Sequence, residues 1–254
     1  MEEYVMSIGN KLLIALFSAL PLLCWAGGMK TPGIICPLKS DPPPLIDGNP
    51  KEWQSLPGAI EITGEQVRWG KAKWKNEEDL SGTVNFCWDS NYFYVLAQVT
   101  DDKILVTKSG KNLFQTDHIE LDIDPCWTPG CKGPFTKQQF VIGISPGNME
   151  KTGDPISDIE PEFYIYCPQD IKSAEGIDIA STRTDNGYLI EARISWELLG
   201  TKPVQGKTIG LDIHFSDSDN VEDQEKMTSL YPGDWTGRKR EKMMPVMLTG
   251  IQGK

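Results

Sequence analysis

At 254 residues the chain can hold one full β-sandwich or barrel, or two small domains, and its punctuation favours one. It carries 36 acidic against 25 basic residues, a net charge of −11. With no basic stripe to neutralise phosphates, nucleic acid is disfavoured as a partner, and most of the charge excess serves solubility.

The first residues read as a secretory leader. Lys11 precedes the apolar run LLIALFSALPLLCWA, and Cys24 and Ala26 put small residues where a signal peptidase needs them, so cleavage is expected after Ala26. A transmembrane anchor is the competing reading, but the run is 15 residues long and contains Pro21, against the roughly 20 residues that span a bilayer. Lipidation of Cys24 is disfavoured by the bulky Leu23 before it. Loss of residues 1–26 removes Glu2, Glu3 and Lys11, leaving 34 acidic and 24 basic residues. The mature chain is then expected to be secreted or periplasmic, with no membrane-spanning segment. Residues 27–44, rich in Gly, Pro and Lys and ending in SDPPP, read as a stiff leader, with the domain running from 45 to 254.

From Leu45 onward, short strand-like runs alternate with turn signals: 59–63, 82–89, 92–100, 118–124, 138–145, 162–167, 177–184, 188–195 and 208–216. Nine such runs predict an all-β antiparallel sandwich of jelly-roll or immunoglobulin-like type. Alternation assigns faces: Tyr188, Ile190, Ala192 and Ile194 inward with Glu191 and Arg193 outward, and Ile209, Leu211, Ile213 and Phe215 inward with Asp212 and His214 outward. Asp89-Ser90-Asn91 and Asp185-Asn186-Gly187 read as hairpin turns. A single short helix is expected from Ser195, its N-cap, to Leu199, stopped by Gly200.

The run Asn112–Asp124, NLFQTDHIELDID, leads an aromatic-bearing loop into a strand with Ile119, Leu121 and Ile123 on one face and His118, Glu120 and Asp122 on the other. A ring that covers a sugar's C–H surface, beside a carboxylate that accepts from hydroxyls, suits a polyhydroxylated ligand. A plain solvated face is the alternative. Of the five cysteines left after cleavage, Cys126 and Cys131 flank WTPG, whose Pro-Gly bend can bring them into bonding range, so a disulfide is expected there. An odd count leaves at least one thiol, and Cys87 reads as a buried small hydrophobe.

Motif order adds more. Leu45-Ile46-Asp47-Gly48 with Glu52-Trp53, then WDSNYFYVLAQVTDD, QTDHIELDID, GYLIEARISWELLG and IGLDIHFSDSDN occur in succession. This succession resembles the family 9 carbohydrate-binding modules and their DOMON-like relatives, over about residues 45–250. The resemblance implies a non-catalytic β-sandwich, structural calcium in many members, and a sugar held between two aromatic rings. On that pattern Phe114 takes the place of a tryptophan before the acidic strand, Glu120 is the strand carboxylate, and Trp235 is the second ring with Tyr231 as a weaker match. A basic residue implied on the following strand falls near Val141, so that contact is expected to be lost.

The acidic loop supplies oxygen at Asp217, Asp219, Asn220 and Asp223, a hard-cation composition that fits calcium without being an EF-hand, and Asp101-Asp102 ends another strand in the same way. No organic cofactor is expected. Enzyme readings fare badly: Gly143-Ile144-Ser145-Pro146-Gly147 matches GxSxG, but Pro146 removes the N–H that would donate to an oxyanion. Two rivals to glycan binding stand: an envelope or surface scaffold that has lost its sugar site, and a DOMON-like haem domain using His118 or His214 with a methionine among Met149, Met227, Met243, Met244 and Met247.

Overall fold

A computed structural model describes residues 33–39, 41–149, 153, 158–171, 175–221, 223–233 and 236–250. The expected leader, residues 1–26, and Trp235 lie outside the described residues. Among the described residues the strands, in chain order, are β1 (Ile34–Pro37), β2 (Ile60–Ile62), β3 (Val67–Trp69), β4 (Leu80–Trp88), β5 (Tyr92–Asp101), β6 (His118–Asp124), β7 (Phe140–Ser145), β8 (Glu162–Cys167), β9 (Ile177–Thr184), β10 (Gly187–Ser195), β11 (Thr208–Asp217), β12 (Lys226–Thr228) and β13 (Met244–Thr249). They form two sheets, one ordered β1-β13-β11-β6-β7-β8 with β12 and β3 attached through β11, the other β2-β4-β5-β10-β9. All pairings are antiparallel except β1 with β13. No helix among the described residues is long and apolar enough to cross a membrane.

All nine predicted runs are strands, because alternation with one buried face specifies both element and register. The inner faces meet in one core. Ile119, Leu121 and Ile123 of β6, Ile142 and Ile144 of β7, and Ile209, Leu211, Ile213 and Phe215 of β11 pack against Val84, Phe86, Phe93, Val95, Ala97, Tyr188, Ile190 and Ile194 from the other sheet. Fully burying one such side chain contributes about 1.5–3 kcal/mol.

Two expectations need correction. Ile34–Pro37, inside the segment taken for a leader, is an edge strand paired with β13, so the fold begins upstream of residue 45. Its three apolar residues stand between Pro32-Gly33 and Pro37, which masks the strand in the sequence. The expected helix after Ser195 is a single hydrogen-bonded turn: Ser195 Oγ accepts from Leu198 N at 3.1 Å as a cap should, but Gly200, at φ +64, ends the segment at once.

Part of the outer face of the five-stranded sheet is covered by residues 45–56. Trp53, Cys87, Tyr94, Leu96 and Leu189 form a second small core there. At its centre Glu191, outward-facing as expected, is nonetheless fully buried. It accepts from Trp53 Nε1 at 2.7 Å, Gly48 N at 2.7 Å and Asp47 N at 3.1 Å. This explains why Ile46-Asp47-Gly48 and Trp53 occur together: they supply donors and cover for one carboxylate.

Candidate functional site

The outer face of the larger sheet is covered incompletely. Strands β6, β8, β3 and β12, the 3-10 turn Gly110–Gln115 and the segment after residue 236 leave a cleft of about 980 Å³. Its floor carries His118 and Glu120; its walls carry Trp69, Phe114, Tyr164 and Tyr166; Arg238 closes one side. Trp69, Phe114 and Tyr164 are 43%, 40% and 37% exposed, and they are all the aromatic residues among the exposed large apolar side chains of the described residues. Placing all three at one cleft is the mark of a binding surface. The rings are ordered by each other: Phe114 meets Tyr166 edge to face at 6.3 Å, Tyr164 lies 4.9 Å from Tyr166, and Tyr166 Oη accepts from Phe114 N at 3.2 Å. Gly143, paired with Glu120 and Tyr164, makes room for this packing, since a Cβ there would meet Leu113 at 2.8 Å and Tyr166 at 2.9 Å.

Polar groups behind the rings form a buried network. Arg238 donates from Nη2 to Glu120 and from Nε to Asp122 at 3.3 Å. His214 Nε2 lies 3.6 Å from both Asp122 and Asp212. Burial opposes a charge on that ring, but Asp212, Asp122 and Glu120 outweigh it and push its pKa up to about 9. Asp212 is held in turn by Ser229 Oγ at 2.6 Å and Tyr231 N at 2.9 Å. His118 donates Nδ1–H to the Thr116 carbonyl at 2.7 Å, and burial depresses its pKa.

Phe114 and Glu120 share the cleft. Tyr231 does not: it borders a separate crevice of about 20 Å³ and packs partly on the core. The two histidines, expected on solvated faces, are 2% and 0% exposed because later chain segments cover them. Both ring nitrogens of His214 face protein oxygens, which removes it from an axial-ligand role at haem iron. Val141 is apolar as noted, but the cation missing from its strand arrives from Arg238, nearly a hundred residues on. Trp69 and Tyr164 were missed. Trp69, between Arg68 and Gly70 in a polar stretch, is a large ring with no apolar neighbour in sequence, and that is the signal that could have found it.

The acidic loop divides. Asn220 Oδ1 accepts from Asp223 N at 3.4 Å and Asp223 Oδ1 from Gln224 N at 2.9 Å, so these two brace their own turn. Asp217 and Asp219 instead join Asp79, Asp101, Asp102 and Asp117. Two ammonium groups sit among them: fully buried Lys226 is 3.0 Å from Asp79, 3.0 Å from Asp217 and 3.3 Å from Asp219, and Lys75 is 3.0 Å from Asp79, 3.4 Å from Asp102 and 3.1 Å from Asp219. Negative charge still exceeds positive. Burial, and then mutual repulsion, push Asp217 up to about 8, Asp101 to about 6 and Asp117 well above the usual carboxylate range. Cys126 and Cys131 are both thiols, so the expected bond is not formed in this structure; Cys131 Sγ points to the Arg240 carbonyl at 3.8 Å.

A two-sheet sandwich with an aromatic-walled polar cleft on one outer face is a ligand-binding module. The chain belongs to the carbohydrate family 9 binding domain-like family, whose model matches residues 46–242. It is 26% identical over 198 residues to endo-1,4-beta-xylanase A of Thermotoga maritima, covering 76% of this chain but 16% of the xylanase, and 24% identical, with the same coverage, to endo-1,4-beta-xylanase A of Thermotoga neapolitana. The chain thus spans about a sixth of the length of these relatives. Its fold is similar to a carbohydrate binding module family 9 from Caldicellulosiruptor kristjanssonii, solved with cellotriose (TM-score 0.62) and with glucose (0.63), at 18% identity over 85% and 87% of this chain and 93% and 97% of the other.

Proposed function

We propose that the cleft binds a glycan by stacking on Trp69, Phe114 and Tyr164, with Glu120 accepting from hydroxyls and Arg238 fixing that carboxylate. The convergence of all three exposed aromatic rings on one polar floor carries this reading. The ligands of the Caldicellulosiruptor modules, cellotriose and glucose, make a β-1,4-linked glucan the first class to try. Arg238 also weakens the scaffold rival, which rested on the cation absent at Val141. Titration calorimetry with cellotriose, glucose and xylotriose tests the proposal. Trp69→Ala should weaken binding about tenfold or more while the domain stays folded, as removal of one stacking ring does; equal affinity would remove Trp69 from the site.

The reading extends to a cation. Burial and mutual repulsion raise Asp101, Asp117 and Asp217, and a divalent ion such as calcium would offset that repulsion, with Asp79, Asp102 and Asp219, whose oxygens lie within 4.8 Å of one another, as donors. Such an ion would brace the hairpin of β11 and β12, and β12 pairs Met227 with Trp69 at the cleft wall. Export through the leader is part of the same proposal. In an oxidising compartment non-reducing peptide mapping would show whether Cys126 and Cys131 join.

A further inference from the structure

We infer that His118 is a specificity-determining residue of the cleft, its Nε2 accepting a hydrogen bond from a sugar hydroxyl; this rests on the glycan reading above. The side chain begins β6 and is 2% exposed, yet it lines the cleft. Its Nδ1 is 2.7 Å from the Thr116 carbonyl oxygen. A carbonyl only accepts, so Nδ1 carries the hydrogen and the neutral ring has its lone pair on Nε2. Among the described residues the ring makes no second hydrogen bond, and Nε2 is not one of the solvent-sealed polar atoms. The lone pair therefore faces the cleft, fixed in direction by the bond on the far side of the ring.

The chemistry of that group is narrow. A fixed acceptor with no hydrogen to offer takes only a ligand group that donates. Glu120 stands two residues along the same face, about 7 Å further at ordinary strand rise, and is an acceptor as well. The floor of the cleft thus reads free hydroxyls at two points. A sugar that is deoxygenated or O-methylated at the matching carbon leaves a nearly buried acceptor unmet, so it is rejected even where the aromatic stacking is unchanged.

Asparagine and glutamine separate this role from a structural one. In His118→Asn the amide nitrogen falls where Nδ1 stood, keeping the bond to Thr116 and leaving the cleft side without an acceptor. In His118→Gln the longer amide carries its oxygen to the neighbourhood of Nε2. Calorimetry with cellotriose at pH 8 should show His118→Asn binding about tenfold more weakly and His118→Gln within about threefold of the parent, the scale of one hydrogen bond. The parent should also discriminate against one monodeoxyglucose and its O-methyl counterpart, and His118→Asn should lose most of that discrimination, a coupling that general loosening would not produce. Undiminished binding by His118→Asn overturns the inference alone, as does an equal loss in both variants. If the parent binds none of the sugars, the glycan reading falls and takes this with it.

Discussion

Glu191 and Glu120 occupy equivalent situations on the two sheets: each is a carboxylate on an outer face, and each is almost wholly covered. The coverings differ. Over Glu191, residues 45–56 bring an indole N–H and two backbone N–H groups and seal the carboxylate from solvent. Over Glu120 the cover is a guanidinium and a ring of aromatic walls, which leaves the carboxylate at the bottom of a cleft. The same residue type on the same kind of surface becomes an anchor when the protein satisfies it and a recognition group when some of its bonding capacity is left to a ligand.

Removing the anchor should have the largest effect. Glu191→Ala strands Trp53 Nε1 and Gly48 N in an apolar setting and should cost roughly 3–5 kcal/mol of stability, from three lost charge-assisted hydrogen bonds and the donors left unmet. Chemical denaturation would measure it. Cellotriose affinity extrapolated to the folded state should not change, and a large drop in affinity would mean the two faces are coupled.

Calcium is expected to act next in size. At about 100 times its Kd an ion that binds only the folded state adds about 2.7 kcal/mol, visible as a higher melting temperature that EDTA abolishes. The pH trend gives a second check. Asp217 is raised to about 8 and Asp101 to about 6, so the folded state holds protons that the unfolded chain releases near pH 4. Metal-free stability should therefore fall as pH rises from about 4 to 8, and calcium should flatten that slope. Superimposed melts with calcium and EDTA across this range would leave the acidic cluster as an internal ion pair network.

Glu120→Gln is the counterpart of the anchor mutation with opposite readouts. Affinity for cellotriose should drop about tenfold, since a neutral acceptor replaces a charged one, while Asp122 still holds Arg238 and the melting temperature moves little. Smallest of all should be Gly143→Ala. The new methyl pushes on the flexible end of Leu113 and the ring of Tyr166, so a loss of affinity of roughly threefold, under 1 kcal/mol, is expected, with Tyr166 displaced in a structure of the variant.

The long strands were legible because each buries one face and shows a period of two. Those that were not legible carry little periodicity: β3 and β12 have three residues each, β1 is four residues beside prolines, and β13 contains Pro245 opposite Gly210. The cleft was half legible. Phe114 and Glu120 lie on one continuous run, whereas Trp69, Tyr164 and Arg238 reach it from elements far away in sequence, and no local pattern joins them. Alternation also placed Glu120, Asp122, Asp212 and His214 on an outer face correctly while saying nothing about what would cover that face. Their burial is a property of later segments, Thr228–Tyr231 over Asp212 and His214 and Arg238 over Glu120 and Asp122, not of their own strands.

The Glu191 anchor bears on time as well as on energy. Its bonds join residues separated by 144, 143 and 138 positions, so Asp47, Gly48 and Trp53 gain no stabilisation from Glu191 until β10 has paired with β5. Closing so long a loop before any reward is slow. Residues 45–56 should dock after the two sheets have assembled and detach before they part. Mutations beneath that flap should accelerate unfolding while leaving the refolding rate nearly untouched.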